Sequence, residues 1–423
     1  MDHLNIFNSY KKKSNNHEDE LTRSFLILVK NVPIVQVMFF EMIKKQLNNP
    51  NLESIANGEL FIEEIFTQLS NTNNLFFSEK IEGRILVSII ISDDKFVSDA
   101  KIRNDGRQAR YDGVILASPS WLFIIENKPS KENIWLGQLN PNIEDEKDVT
   151  ILEDPCCLSW RDIMSNLSNI IQNKLVTGAE EVLIEDFIEY VDHEYSWINP
   201  YNNYSICKDN IYLLNKRCNS IMGNFKINGK YPEVKYHRGW KHYIESGENT
   251  VKQIALDANK LDSGWEVNLW LHVGDTMSAA RTAFEKLDID KLMKLQTLGF
   301  KLSTNFHFAY RSSNLLWFDG NLSFEDYIKY WKIKYKNLKQ IKRTDFFTFF
   351  DEMENNQLIV AEDRSEIKEK ILNKNYDKLN ICPGFLIRYT WGKDEAIRLD
   401  KSNNFEEDFN NKVKTAFNVM GGI

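Results

Sequence analysis

Several absences narrow the field before any motif is considered. The 423 residues contain no GxxxxGK[ST] loop, so nothing points to ATP turnover. Cysteine is scarce, at five residues, and the odd count without CxxC spacing argues against a zinc ribbon or a disulfide framework. Reduced thiols fit best, and the adjacent Cys156 and Cys157 read as small buried hydrophobes. No apolar run approaches the ~20 residues of a membrane span. The opening MDHLNIFNSYKKKSNNHEDE lacks the apolar centre of a secretory signal. A basic excess is missing too. The net charge of −8 argues against a chain that coats nucleic acid indiscriminately by neutralising phosphates, so any such site is a local basic patch. Histidines form no chelating pair: His237 and His242 are five apart, which suits neither a helix face nor a strand face, and His272 reads as a half-buried structural residue. The expectation is a soluble cytoplasmic protein with no membrane partner.

What is present is ordinary globular chemistry, 42% hydrophobic and 27% charged, in a chain too long for one core. The turn-rich INPYNNYS at 198–205 divides it into domains of 1–200 and 201–423. In the first, HEDELTRSFLILVKN predicts a helix ending before Pro33, with Glu18, Leu21, Phe25 and Leu28 on its inward face. A second helix follows in IVQVMFFEMIKKQL. GRILVSIII is a continuous apolar run typical of an interior strand, and SDDK after it reads as a turn. SWRDIMSNLSNIIQNKL and EEVLIEDFIEYVDHEY carry helical stripes. The second domain reads as α+β. GWEVNLWLHVGD alternates as a strand, residues 300–320 form a hairpin, one helix spans 324 to about 341, and another closes the chain.

The chemistry concentrates at residues 112–128. WLFIIENK is an apolar strand ending in Glu126 and Lys128, which lie two apart and therefore share a face. If Ser118, Pro119 and Ser120 make a three-residue loop, Ala117 faces Trp121 and Asp112 faces Glu126. A two- or four-residue loop instead turns Asp112 to the opposite face. In the first case two carboxylates and one ammonium meet, and carboxylates that close repel unless a cation sits between them. Mg²⁺ or Mn²⁺ suits such oxygens and leaves open positions for a phosphate, while the lysine orients water or steadies oxyanions. The bland reading is a surface salt bridge between Glu126 and Lys128 at the strand end, worth well under ~1 kcal/mol.

With the strand before it, the set Asp112, Glu126-Asn127-Lys128 resembles the signature of the PD-(D/E)XK nuclease superfamily, over roughly residues 10–200. The resemblance implies a restriction-endonuclease-like mixed sheet flanked by helices, in the order αβββαβ. It implies metal binding by Asp112, Glu126 and the Asn127 carbonyl, and assistance to catalysis by Lys128. An acidic residue on the first helix matches Glu18 first and Glu20 second, and a glutamine common in some branches matches Gln138. Tyr111 stands where the family's eponymous proline precedes the Asp. The implied function is Mg²⁺- or Mn²⁺-dependent phosphodiester hydrolysis, DNA before RNA, of the kind used in bacterial defence against phage. The alternative is an inactive nuclease-like fold that binds nucleic acid or protein within a larger assembly, as a homo-oligomer or with a partner subunit.

One further feature belongs to the second domain. Lys329, Lys332, Lys336, Lys339 and Arg343 recur at helical spacing, which reads either as a phosphate-tracking stripe or as the solvated face of an amphipathic helix.

Overall fold

Pro33 separates the first two helices, α1 (His17–Asn31) and α2 (Pro33–Leu47), in the computed structural model of the chain. Proline suits a first helical position, where its missing N–H costs nothing, and here the chain turns by 113°. The structure describes residues 6–7, 17–47, 60–70, 80–104, 110–128, 136–143, 148–310 and 313–420. It divides into two units, Met1–Asn202 and Asn203–Ile423. Among the described residues no single helix is long and apolar enough to cross a membrane.

The first unit is built on a six-stranded mixed sheet. Its strands are β1 (Ile62–Ser70), β2 (Ile85–Ser92), β3 (Arg110–Ala117), β4 (Trp121–Lys128), β5 (Thr150–Ile151) and β6 (Cys156–Ser159). β1, β3 and β4 run antiparallel in that order, β2 lies parallel to β4, and β5 and β6 both pair in parallel with β2. β2 and β4 are buried along almost their whole length, which is why both read as unbroken apolar runs. α3 (Trp160–Gln172) starts directly from β6, with Ser159 accepting from the Asp162 N–H, and α4 (Ala179–Glu194) follows.

The expected mixed sheet with flanking helices is present, but the expected order is not. The strand parallel to β4 is β2, which precedes the β3–β4 hairpin in sequence. The described chain after β4 offers a short 3₁₀ turn, Leu136–Leu139, before β5.

Strand periodicity sorts the side chains of the hairpin. Phe123 packs on Phe40 of α2, Gly113 lies under Leu26 of α1, and Asn127 reaches Trp160 of α3, so odd positions face the helices. Val114, Leu116, Leu122 and Ile124 form a second core with Leu86, Ile81 and Ile143 on the other side. Leu21, Phe25 and Leu28 of α1 are fully buried, worth about 1.5–3 kcal/mol apiece in apolar area removed from water.

The second unit holds one eight-stranded sheet whose pairings are all antiparallel. Its strands are β7 (Lys235–His237), β8 (Lys241–Glu245), β9 (Val251–Leu261), β10 (Gly264–Val273), β11 (Lys301–Tyr310), β12 (Ser313–Phe318), β13 (Ile341–Lys342) and β14 (Lys378–Gly392). β14 lies in the middle, between β10 and β11, with β13 paired to its start. Val267, Leu269, Leu271 and Val273 are completely buried on one side of β10, as the alternation requires. The hairpin at residues 300–320 is β11–β12. The longer helices are α5 (Ile211–Asn224), α6 (Met277–Lys286), α7 (Ile289–Thr297), α8 (Phe324–Lys334), α9 (Phe346–Asn355), α10 (Lys393–Lys401) and α11 (Phe405–Phe417). A buried Arg217–Asp400 pair, bonded through both carboxylate oxygens at 2.7 and 3.1 Å, ties α5 to α10.

The helix expected to run from 324 to about 341 stops at Lys334. A 3₁₀ turn, Tyr335–Asn337, brings Leu338 into the core, and β13 follows. Lys329, Lys332, Lys336, Lys339 and Arg343 therefore do not form one helical stripe.

Candidate active site

The three-residue loop 118–120 joins β3 to β4, and Ala117 does face Trp121. The ladder runs from that pair to Gly113 opposite Ile125, and strand alternation puts Asp112 on the sheet face that carries Glu126. Asp112 also bonds across the hairpin: its Oδ2 accepts the Asn127 N–H at 2.8 Å. The carboxylate is thereby fixed against the Glu126-Asn127-Lys128 segment. Glu126 and Lys128 share the face away from α1, and Lys128 Nζ meets Glu126 Oε1 at 3.0 Å, with side chains 14% and 4% exposed. An ion pair this sheltered from water is not the exposed strand-end bridge of the bland reading.

Asn127 points the other way. Its side chain is fully buried and its Oδ1 accepts from Trp160 Nε1 at 2.7 Å, which anchors the end of β4 to the start of α3. Parallel pairing sets Ile90 beside Glu126 and Ser92 beside Lys128. The site thus lies at the carboxyl ends of β2, β4 and β6, the edge of an α/β sheet where ligands collect because successive loops diverge there.

Residues that the sequence gave no reason to choose gather at this edge. Asp93 and Asp94, read as part of a turn, directly follow β2. Asp94 Oδ2 pairs with Arg161 at 3.0 Å, and Asp162 pairs with Lys95 at 3.3 Å. A parallel neighbour from earlier in the chain leaves no mark in the local pattern, so only the sheet order could have identified them.

Gln138 is half-buried on the 3₁₀ turn. Ser88 Oγ donates to the Leu139 carbonyl at 2.9 Å, and Leu139 packs with Ile90, so this turn covers the face that carries Glu126. The side chain of Glu18 lies outside the described residues. Its neighbour Asp19 reaches Arg110 at 3.4 Å, which sets the start of α1 beside the first residue of β3. Glu20 faces α4, where its charge adds to burial in raising the Tyr195 hydroxyl. All five cysteines are buried free thiols, and burial pushes Cys157 up to about 11, so it stays protonated near neutrality.

Lys332, Arg343 and Lys329 of the second unit have polar partners of their own. Lys332 Nζ donates to the Phe284, Glu285 and Leu287 carbonyls at 2.7, 3.1 and 2.8 Å, closing the end of α6. Arg343 donates to the Leu372, Lys374 and Tyr376 carbonyls, and Lys329 pairs with Glu325 at 2.6 Å. Lys336 and Lys339 are exposed.

Comparison with family models, with curated proteins and with solved structures finds no match to this chain.

The donor set can be tested against a divalent ion by its chemistry. Asp112 and Glu126 offer hard carboxylate oxygens, and the Asn127 carbonyl sits between Glu126 and Lys128 in the same segment, so the donors fit Mg²⁺ or Mn²⁺ in kind. Among the described residues no group of three His, Cys, Asp or Glu side chains is gathered to hold a metal alone. Any ion here would therefore depend on the carbonyl, water and substrate oxygens as well.

Proposed function

We propose that the first unit is a metal-dependent nuclease of the PD-(D/E)XK kind, hydrolysing phosphodiester bonds, with DNA as the preferred substrate. The bond from the Asn127 N–H to Asp112 Oδ2 carries the reading, because it holds one carboxylate against the strand end that bears Glu126 and Lys128. Asp112, Glu126 and the Asn127 carbonyl would hold Mg²⁺ or Mn²⁺, which supplies an acidified water and offsets phosphate charge. Lys128, steered by Glu126, presents ammonium N–H donors to a non-bridging phosphate oxygen. Trp160 keeps the Asn127 side chain turned away, leaving the backbone on the Glu126 side for substrate. The half-buried Gln138 lies on the covering turn and is a positioning candidate.

The test is cleavage of plasmid, linear duplex, single-stranded DNA and RNA with Mg²⁺, Mn²⁺ or EDTA, alongside Asp112→Ala, Glu126→Ala and Lys128→Ala. Cutting that needs the metal and is lost in the variants supports the reading. Cutting that persists in all three removes these residues from the chemistry.

One observation favours a second reading, an inactive fold that binds. Glu126 already has Lys128 as a counter-ion within 3.0 Å, so its charge is compensated without a metal. Nucleic-acid or protein binding that is indifferent to EDTA, with no cleavage, would select it.

A further inference from the structure

The second unit contains a cavity of ≈ 320 Å³ between the turn that follows β7 and the start of α6. That is at the lower end of the ~300–1,000 Å³ typical of small-molecule sites. Its lining includes His237, Trp240, Lys252, Gln253, Asp275 and Asn380. Two acceptors there are buried without a bond: among the described residues, nothing donates to Gln253 Oε1 or Asp275 Oδ1. Gln253 is only 8% exposed. Leaving such atoms dry and unpaired is costly, and native proteins keep few of them without a use. Burial also raises the Asp275 carboxyl, against the opposing charges of Lys252 and His237.

The lining has a distinct chemical shape. Its interior asks for hydrogen-bond donors, supplied to a carboxylate and an amide oxygen. Its wall is aromatic, with the His237 and Trp240 rings 4.2 Å apart and tilted by 32°. Lys252 adds a cation. A ligand that satisfies all three is planar, carries N–H donors on one edge and bears an anion elsewhere.

We propose that this cavity binds a nucleotide. The base stacks against the Trp240–His237 wall, its N–H edge donates to Asp275 and Gln253, and its phosphate lies toward Lys252. Guanine offers adjacent ring N–H and amino donors, which match a carboxylate better than any other common base. The ligand is either a free nucleotide or a terminal unpaired base of a strand, since the recognised chemistry is the same. The inference uses no residue of the first unit and stands whether or not that unit cleaves.

Calorimetric titration of the full chain with GMP, AMP, CMP, UMP and inorganic phosphate tests it, followed by a short single strand ending in guanosine 5′-phosphate. GMP should bind most tightly. Asp275→Asn and Gln253→Leu should each weaken it by about tenfold or more, the loss of one hydrogen bond to a buried group. Asp275→Asn should also raise the melting temperature of the ligand-free protein, which separates lost recognition from lost folding. Binding by GMP alone or by the strand alone upholds the site and assigns the source. No nucleotide binding at millimolar concentration, GMP affinity unchanged in both variants, or equal displacement by inorganic phosphate would each overturn it.

Discussion

Replacing Lys128 by Met keeps the aliphatic stem and removes the ammonium. Glu126, 3% exposed, then loses the cation that meets it at 3.0 Å. Breaking a buried pair from one side costs about 3–5 kcal/mol, because the remaining charge stays sheltered from water with its counter-ion gone. The 14% exposure of the lysine argues for the lower end, about 3 kcal/mol. The first unit spans Met1–Asn202, a size at which 1 kcal/mol moves a melting temperature by about 2–4 °C. Calorimetric melting at pH 7.5 in EDTA should therefore show its transition lowered by about 6–12 °C. The double variant Glu126→Gln with Lys128→Met removes both charges and should recover most of that loss. With Mg²⁺ added, Lys128→Met should gain more stability than the parent, since a bound cation replaces the missing one. A single variant within about 0.5 kcal/mol of the parent would refute the argument, because it would mean the pair behaves as a surface ion pair.

Three other outcomes are expected. Burial holds His272 and His307 at about 4, below the 6.5 of an open chain. The unfolded chain then binds protons that the folded one refuses, so the second unit should lose about 1.4 kcal/mol per histidine for each pH unit between 6.5 and 4. Urea unfolding across that window checks this, and His307→Gln should flatten the slope; a midpoint independent of pH would contradict it. Lys332→Met should destabilise by about 1–3 kcal/mol through the freed α6 carbonyls, whereas Lys336→Glu with Lys339→Glu should leave the melt unchanged. Equal effects would reverse the assignment of roles. Trp160→Phe removes the donor to Asn127 and should cost about 1–3 kcal/mol by the same melt, with no loss implying that water takes its place.

Local signals were enough to read the parts of the site that lie close together in sequence. Pro33 marks the break between α1 and α2, and the loop at 118–120 fixes the parity that carries Asp112 to the Glu126 side. Interior strands β2 and β4 stand out because burial on both faces demands an unbroken apolar run. Their pairing does not stand out. Nothing in GRILVSIII says that it lies parallel to β4, so Asp93 and Asp94 looked like an ordinary turn. Charge spacing misled in the second unit for a related reason. A lysine that caps another helix and one facing water have the same period, and only the tertiary contact of Lys332 with α6 tells them apart. β14 hid itself differently, since Pro383 and Gly384 at its middle are residues that usually break a strand.

That strand has a bearing on how the protein is made. β14 pairs Phe385 with Val273 and Ile387 with Leu302, so its two neighbours wait for a segment synthesised long after them. Until Lys378–Gly392 has left the ribosome, β10 and β11 each present an unpaired apolar edge, the surface on which chains aggregate. Sheet closure across such separations is slow, because loop entropy is lost before any contact repays it. The second unit should consequently mature late and depend on chaperones, while the first, whose hairpin closes over three residues, can form as it emerges.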